Sequence, residues 1–204
     1  MTVARSDRLI LDGAHGEGGG QILRTSLTLA AITGRAIRIE RIRAGRPKPG
    51  LAAQHVTAVR AAASLCRATM AGDEAGSTAL EFAPQAAVAP GTYAFDVAAA
   101  RKGGSAGAAS LVLQTVLPPL ALTEGRSHIS IRGGTHMAWS PPFDYVHDVW
   151  MPALAQIGIE AAIELRASGW FPIGQGEIVV TITGLGTGWR RRLNPLTLCE
   201  RGPL

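Results

Sequence analysis

"GAHGEGGGQILR", residues Gly13–Arg24, joins a short strand (Arg8–Leu11) to an apolar-periodic helix (Gln21–Ile32) through five glycines in its first eight positions. A similar joint returns in the second half, where Gly103, Gly104 and Ser105 stand between strand Tyr93–Val97 and helix Ser105–Leu117. Working outward from the first joint, periodicity predicts strand Ala36–Ile42, helix Leu51–Arg67, and short strands Ala68–Met70 and Thr78–Phe82. After the connector Ala83–Gly91, the second joint is followed by strand His128–Arg132, helix Pro142–Ile157, and strands Ile159–Arg166 and Glu177–Thr183. The order βαβαββ is therefore written twice. The expected fold is α+β, with tandem βαβαββ repeats over residues 1–90 and 91–184 and helices packed on one face of each sheet. The other sheet face is then expected to be hydrophobic and to need a cover. The tail "GLGTGWRRRLNPLTLCERGPL" opens a fresh apolar segment, so the chain is expected to be a fragment or shortened form of a longer protein.

The 204 residues are 47% hydrophobic, enough to fill a core. The longest apolar run, Leu111–Leu122, is broken by Pro118 and Pro119 and falls short of the ~20 residues of a membrane helix. Arg5, Asp7 and Arg8 interrupt any hydrophobic signal core, so a cytoplasmic location without a membrane is expected. Cys66 and Cys199 make neither a disulfide framework nor a metal knuckle. The net charge is +5, carried almost wholly by arginine, which suits phosphate and equally fits genomic base bias. Arg35, Arg38, Arg41, Arg43, Arg46 and Lys48 fall in one stretch that reads as an anion-facing surface.

The glycine joint is no P-loop, since no Lys-Ser/Thr follows it, and Gln21 replaces the third glycine of a GxGxxG pattern. What remains is exposed backbone N–H at a helix start, which favours an anion. Arg24 opposes the helix dipole there by ~0.3–1 kcal/mol unless an anion is present. Its placement fits a phosphate partner as well as it fits a solvent-facing charge paired with Glu17 or Asp12. Glu17 could give a carboxylate to Mg²⁺ or Mn²⁺ beside a phosphate, or simply be solvated.

In "RIRAGRPKPGLAAQH", Arg41–His55, Pro47 and Pro49 stiffen a loop presenting Arg43, Arg46 and Lys48. His55 shares an apolar stripe with Leu51, Val59, Ala62 and Cys66, as a satisfied core histidine would, and Gln54 could reach the loop's site or cap. Helix "GSAGAASLVLQTVLPPL" is apolar on nearly every side, which predicts burial between layers. Its long amide Gln114 then ties down backbone or meets a ligand. In "GGTHMAWSPPFDY", Ser140 is a candidate N-cap, and Trp139, Pro141 and Tyr145 could stack on a planar ring or simply pack. His136 has no partner at zinc spacing.

Taken together, "GEGGGQILR", "IRAGRPKPGL" with Gln54 and His55, "GSAG…LVLQTVLP", "GGTHMAWSPPFDY" and "GWFPIGQGE" resemble, in order and spacing, the RNA 3′-terminal phosphate cyclases. The resemblance implies an ATP-dependent conversion of an RNA 3′-phosphate to a 2′,3′-cyclic phosphodiester. In that family a histidine accepts AMP, AMP passes to the RNA 3′-phosphate, and the neighbouring 2′-hydroxyl displaces it. By motif match, Glu17 corresponds to a ligand of Mg²⁺ or Mn²⁺, and Arg24, Arg43 and Arg46 to phosphate- or RNA-end-binding arginines. Gln54 and His55 fall on functional polar positions of the same loop, Gln114 on an ATP-contacting glutamine, and Pro141 on the proline that stacks on adenine, with Tyr145 nearby.

The family fold has three βαβαββ repeats with a small α/β domain inserted before the third. The chain then holds the first two repeats, and residues 185–204 begin the insert. The nucleotidyl-accepting histidine lies in the third repeat, and none of His15, His55, His128, His136 or His147 stands in its motif, so no enzyme–AMP is expected from this chain alone. Gln175 departs from the family's glycine triplet. Two rival functions remain: a non-catalytic RNA-binding relative, and a transferase acting on small phosphorylated metabolites.

Overall fold

The computed structural model describes residues 8–100 and 107–195. The first half contains β1 (Leu9–Asp12), α1 (Gly20–Thr33), β2 (Ile37–Glu40), α2 (Ala53–Cys66), β3 (Thr69–Ala71) and β4 (Leu80–Ala83). The second contains β5 (Thr92–Asp96), α3 (Ala109–Ala121), β6 (Glu124–Gly133), α4 (Phe143–Tyr145), α5 (Met151–Gln156), β7 (Glu160–Ala167) and β8 (Gly176–Leu185), followed by α6 (Trp189–Arg192). The sheets have orders β1-β2-β4-β3 and β5-β6-β8-β7. Each has one parallel pair, β1 with β2 and β5 with β6, and each of these pairs is connected through a helix. All other pairings are antiparallel. The fold is thus α+β with the same strand order in both halves.

Alternation along the strands decides which sheet face meets the helices. Ile37, Ile39, Leu80 and Phe82 are buried in the first sheet, as are Ile129, Ile131, Ile178, Val180 and Ile182 in the second. The opposite faces are not the hydrophobic surfaces expected from the sequence. On the first, Arg38 bonds Glu40 and Glu81 at 2.7 Å each, and Arg8 pairs with Glu81. On the second, Ser130 donates to Glu177 at 2.6 Å, and His128 meets Thr181 at 3.1 Å. Polar cross-strand pairs let these faces meet water, as antiparallel sheets commonly do.

The helices bind the halves together. α2 buries residues all round its surface: Val56, Val59, Ala62, Ala63 and Cys66 enter the core of the first sheet, while Ala53, Ala61 and Leu65 enter that of the second. Alanines on this face let α2 and α3 approach closely. α3 is buried on nearly every side, as its composition predicts. It also runs past Pro118 and Pro119 to Ala121, beyond the expected end at Leu117. Pro119 cannot donate to the Thr115 carbonyl; the Thr28 hydroxyl of α1 donates to it instead, at 2.9 Å. The expected single helix Pro142–Ile157 is interrupted by a π turn, Val146–Trp150, where Met151 N–H bonds the Val146 carbonyl just before Pro152.

Gly103, Gly104, Ser105 and Cys199 lie outside the described residues. Cys66 is buried, its thiol pushed up to about 11 by desolvation, as an inert core thiol would be. Gln175 keeps the left-handed backbone, φ 58°, that a glycine there would take more easily. Among the described residues no helix is long and apolar enough to cross a membrane.

Candidate functional site

The glycine joint, the Arg41–Ala52 loop and the first turns of α1, α2 and α3 meet at one end of the helix layer. At their centre is Arg24, only 8% exposed. Its Nε donates to Gln114 Oε1 at 3.1 Å and its Nη2 to Gln21 Oε1 at 2.8 Å. Both acceptors are neutral amides, and among the described residues no carboxylate pairs with this guanidinium. Burial accordingly pulls the Arg24 pKa downward. The carboxylates that sequence offered as partners are engaged elsewhere: Asp12 holds Arg41 through Nε at 3.0 Å, and Glu17 lies 3.6 Å from Arg46. A desolvated cation bonded only to amides is costly unless an anion completes the site.

Arg43 repeats the pattern. It sits in a left-handed conformation, φ 54°, and donates from Nη1 to the Gly50 carbonyl at 2.8 Å. Burial, then the neighbouring Arg46 charge, lowers its pKa. Gly50 is required because a Cβ there would overlap the Gly76 carbonyl at φ 77°. The basic stretch is therefore not one uniform surface: Arg38 and Arg41 are neutralised by carboxylates, Arg46 lies against Gly19 of the glycine joint, and Arg43 is held by the Gly50 carbonyl.

His55 is buried, and its Nδ1 accepts the Ala52 N–H at 3.0 Å, which leaves the ring proton on Nε2. Desolvation, with the charges of Arg43 and Arg24, holds its pKa down to about 3, so the ring is a neutral donor. A Cβ on Gly20 would overlap His55 Nε2 and stand 2.9 Å from Arg24 Nη1. The missing side chain at Gly20 is what lets both groups reach the helix start. The apolar spacing of His55 thus conceals a ring whose one edge is satisfied by backbone and whose other edge faces Gly20.

Gln54 Oε1 accepts the Ala108 N–H at 3.2 Å, tying α2 to the start of α3. Glu17 is 95% exposed. No cluster of three or more metal-ligating side chains occurs among the described residues. A single loop carboxylate suits Mg²⁺ or Mn²⁺ only where phosphate oxygens and waters fill the remaining positions.

Gln114 links this basic site to a cavity of about 320 Å³ lined by Ser110, Gln114, Pro141, Tyr145, Val146 and Trp150. The three residues matched to ATP contacts, Gln114, Pro141 and Tyr145, therefore share one wall system. Ser110 donates to the Pro141 carbonyl at 2.8 Å, fixing the proline ledge to α3. Ser140 is not the helix cap: it bonds the Met137 carbonyl, and Pro142 holds the cap position. Trp139 is fully exposed and is not among the residues lining the cavity. Sequence reasoning missed Gln21, Ser110, Val146 and Trp150, although Ser110 with Gln114 and Val146 with Trp150 stand at the i,i+4 spacing of one helix face.

A family model described as RNA 3′-terminal phosphate cyclase matches residues 15–199. A curated protein of that name from Methylococcus capsulatus is 58% identical over 196 residues, 96% of this chain and 53% of the relative. Those from Nostoc punctiforme and Ralstonia nicotianae are 56% and 50% identical over 194 residues, covering 95% of this chain and 54% and 53% of their own lengths. The chain spans about half the length of these relatives.

Proposed function

The chain belongs to the RNA 3′-terminal phosphate cyclase family, and from that premise we propose that it carries the phosphate-binding and nucleotide-binding portion of an ATP-dependent RNA 3′-phosphate cyclase. Residues 1–90 and 91–184 are read as the first two of three repeats, and 185–204 as the entrance to an insert. The observation that carries the reading is the Arg24–Gln114 bond: one amide belongs both to an uncompensated arginine site and to the cavity of Pro141 and Tyr145.

In this reading Arg24, Arg43 and Arg46 bind phosphate oxygens, and the charge that burial leaves unbalanced on Arg24 is met by the ligand. His55 donates from Nε2 without adding charge. Gln54 holds the α2–α3 corner that frames the site. Pro141 and Tyr145 receive the adenine, and Gln114 orients it relative to the phosphates. Glu17 would hold Mg²⁺ or Mn²⁺ jointly with phosphate oxygens, supplying charge neutralisation. The reaction activates the RNA 3′-phosphate by transfer of AMP through a histidine, and the 2′-hydroxyl then closes the ring with release of AMP. In the same reading its partner is an RNA with a 3′-phosphate end, and its location is read as cytoplasmic.

Binding of fluorescent oligoribonucleotides ending in 3′-phosphate or 3′-hydroxyl, with small phosphate esters as competitors, tests the reading. Tighter binding of the 3′-phosphate end is expected. Equal binding of both ends would favour a general RNA-binding relative, and displacement by small esters alone would favour a metabolite transferase. Incubation with labelled ATP and Mg²⁺ is expected to give no stable protein–AMP adduct, because none of the five histidines stands in the nucleotidyl-accepting motif.

A further inference from the structure

The loop after β6 and the loop between β7 and β8 are laced together beside the nucleotide cavity. Thr135 and His136 both donate backbone N–H to the Gly169 carbonyl, at 2.9 and 3.1 Å, and Gly169 N–H donates to Thr135 Oγ1 at 2.9 Å. Thr135 Oγ1 lies 2.8 Å from His136 Nδ1, and His136 Nε2 lies 3.2 Å from Asp144 Oδ2. An ionised carboxylate can only accept, so Nε2 donates to Asp144. The one Thr135 hydroxyl proton then has two acceptors in reach, an unprotonated Nδ1 at 2.8 Å and the Gly169 carbonyl at 3.4 Å, and the shorter contact is the one to Nδ1. The contacts form one continuous line, from Gly169 N–H to Thr135, from Thr135 to His136 and from His136 to Asp144. The imidazole also stacks on Trp170, with ring centres 4.7 Å apart and planes at 13°.

The order hydroxyl, imidazole, carboxylate is that of a nucleophilic triad, but Thr135 is only 2% exposed and its hydroxyl already accepts a backbone N–H. No substrate carbon or phosphorus could reach it. What the chain does reach is α4. Phe143 N–H donates to the Thr135 carbonyl at 2.9 Å, and Asp144 stands between Phe143 and Tyr145. Tyr145, Val146 and Trp150, half of the cavity lining, follow directly.

We propose that His136 is a positioning residue for the nucleotide cavity, joining Thr135 to Asp144 so that α4 presents Tyr145 opposite Pro141. The inference rests on the nucleotide reading of that cavity. His136 touches no ligand; it fixes the wall that does. Trp170 holds the imidazole plane, so the β7–β8 loop takes part in shaping the site without lining it.

ATP titrated into the chain in the presence of Mg²⁺ by calorimetry, with His136→Ala, Asp144→Leu, Asp144→Asn and Tyr145→Ser, tests the relay. His136→Ala and Asp144→Leu are expected to weaken ATP binding by about two- to fivefold, the scale of one solvent-exposed charged pair, since Asp144 is 71% exposed. Asp144→Asn, which keeps an acceptor, is expected to bind nearly as the parent chain does. Melting temperatures should stay within a few degrees of the parent's, and amide exchange should quicken at 143–150 in the first two variants. ATP binding by His136→Ala equal to the parent's overturns the proposal, as does a loss that tracks a fall in melting temperature. A parent chain that binds no ATP, or a Tyr145→Ser variant that binds it undiminished, sinks the nucleotide reading instead. The relay then stands or falls on the 143–150 exchange, and unchanged exchange in His136→Ala overturns it.

Discussion

Arg24 and His55 show what single residues contribute at this site. A buried guanidinium held by two amides is a cost to the ligand-free fold, so Arg24→Met is expected to raise stability, by about 1 kcal/mol against the hydrogen bonds it forfeits. The same change should abolish preference for a 3′-phosphate end, measurable by parallel chemical denaturation and RNA binding. His55 gives a pH signature. Its folded pKa, about 3, lies below the ordinary 6.5, so between those values the unfolded chain holds more protons than the native one. Stability is therefore full above about pH 6.5 and falls as the solution is acidified, with a slope approaching about 1.4 kcal/mol per pH unit. Asp12 and Glu81, whose pKa values are lowered chiefly by hydrogen bonds from Arg41 and Arg38, lose stabilising charge only at lower pH. Denaturation midpoints at pH 6.5 and 5 should converge in His55→Gln; a parent chain with no slope in that window would contradict the neutral buried ring. Sequence spacing alone could reveal the apolar stripe of His55 but not the emptiness at Gly20, because that depends on how α1 and α2 pack.

At the scale of elements, strand alternation and helical period placed every strand and nearly every helix, since each half repeats one hydrophobic order. The departures have local causes. α3 continues through two prolines, and Thr28, from another helix, donates to the carbonyl that Pro119 leaves unpaired. Nothing within the α3 sequence could disclose that. Thr28→Val keeps the shape and removes the donor, so it should destabilise the chain by about 1–2 kcal/mol, the cost of an orphaned carbonyl. Urea denaturation would measure it, and an unchanged midpoint would mean that water replaces the threonine. The polar outer sheet faces were similarly hidden: Arg38 reads as part of an anion-binding run until its cross-strand neighbour Glu81 is known. Motif matching, by contrast, brought Gln114, Pro141 and Tyr145 to one cavity without any knowledge of distance.

At the scale of the whole molecule, the two sheets do not own separate interiors. Leu65 belongs by sequence to the first repeat, yet its side chain is buried among Val112, Val116 and Ile129 of the second repeat's core. Ala53 and Ala61 accompany it, and Val88 of the connector packs against both cores. A chain built this way should unfold as one unit, because the second core cannot keep its packing once α2 has gone. Leu65→Ala should then cost about 2–5 kcal/mol, as large-to-small changes in well-packed cores do. The loss should appear equally in both halves. Tryptophan fluorescence, read in a Trp189→Phe background because Trp189 lines a cavity with Ala31–Gly34 of the first half, reports the second repeat, since the other three tryptophans, Trp139, Trp150 and Trp170, lie there and none lies in the first. Amide exchange in β2 and β4 reports the first. Coincident urea midpoints by the two probes, displaced together by Leu65→Ala, are the expected result. Midpoints that separate would mean that each sheet folds on its own and that α2 merely rests against its neighbour. The coupling also bears on the site: Arg24 comes from the first repeat and Gln114 from the second, so the bond between them persists only while the shared helix layer keeps α1 and α3 in register.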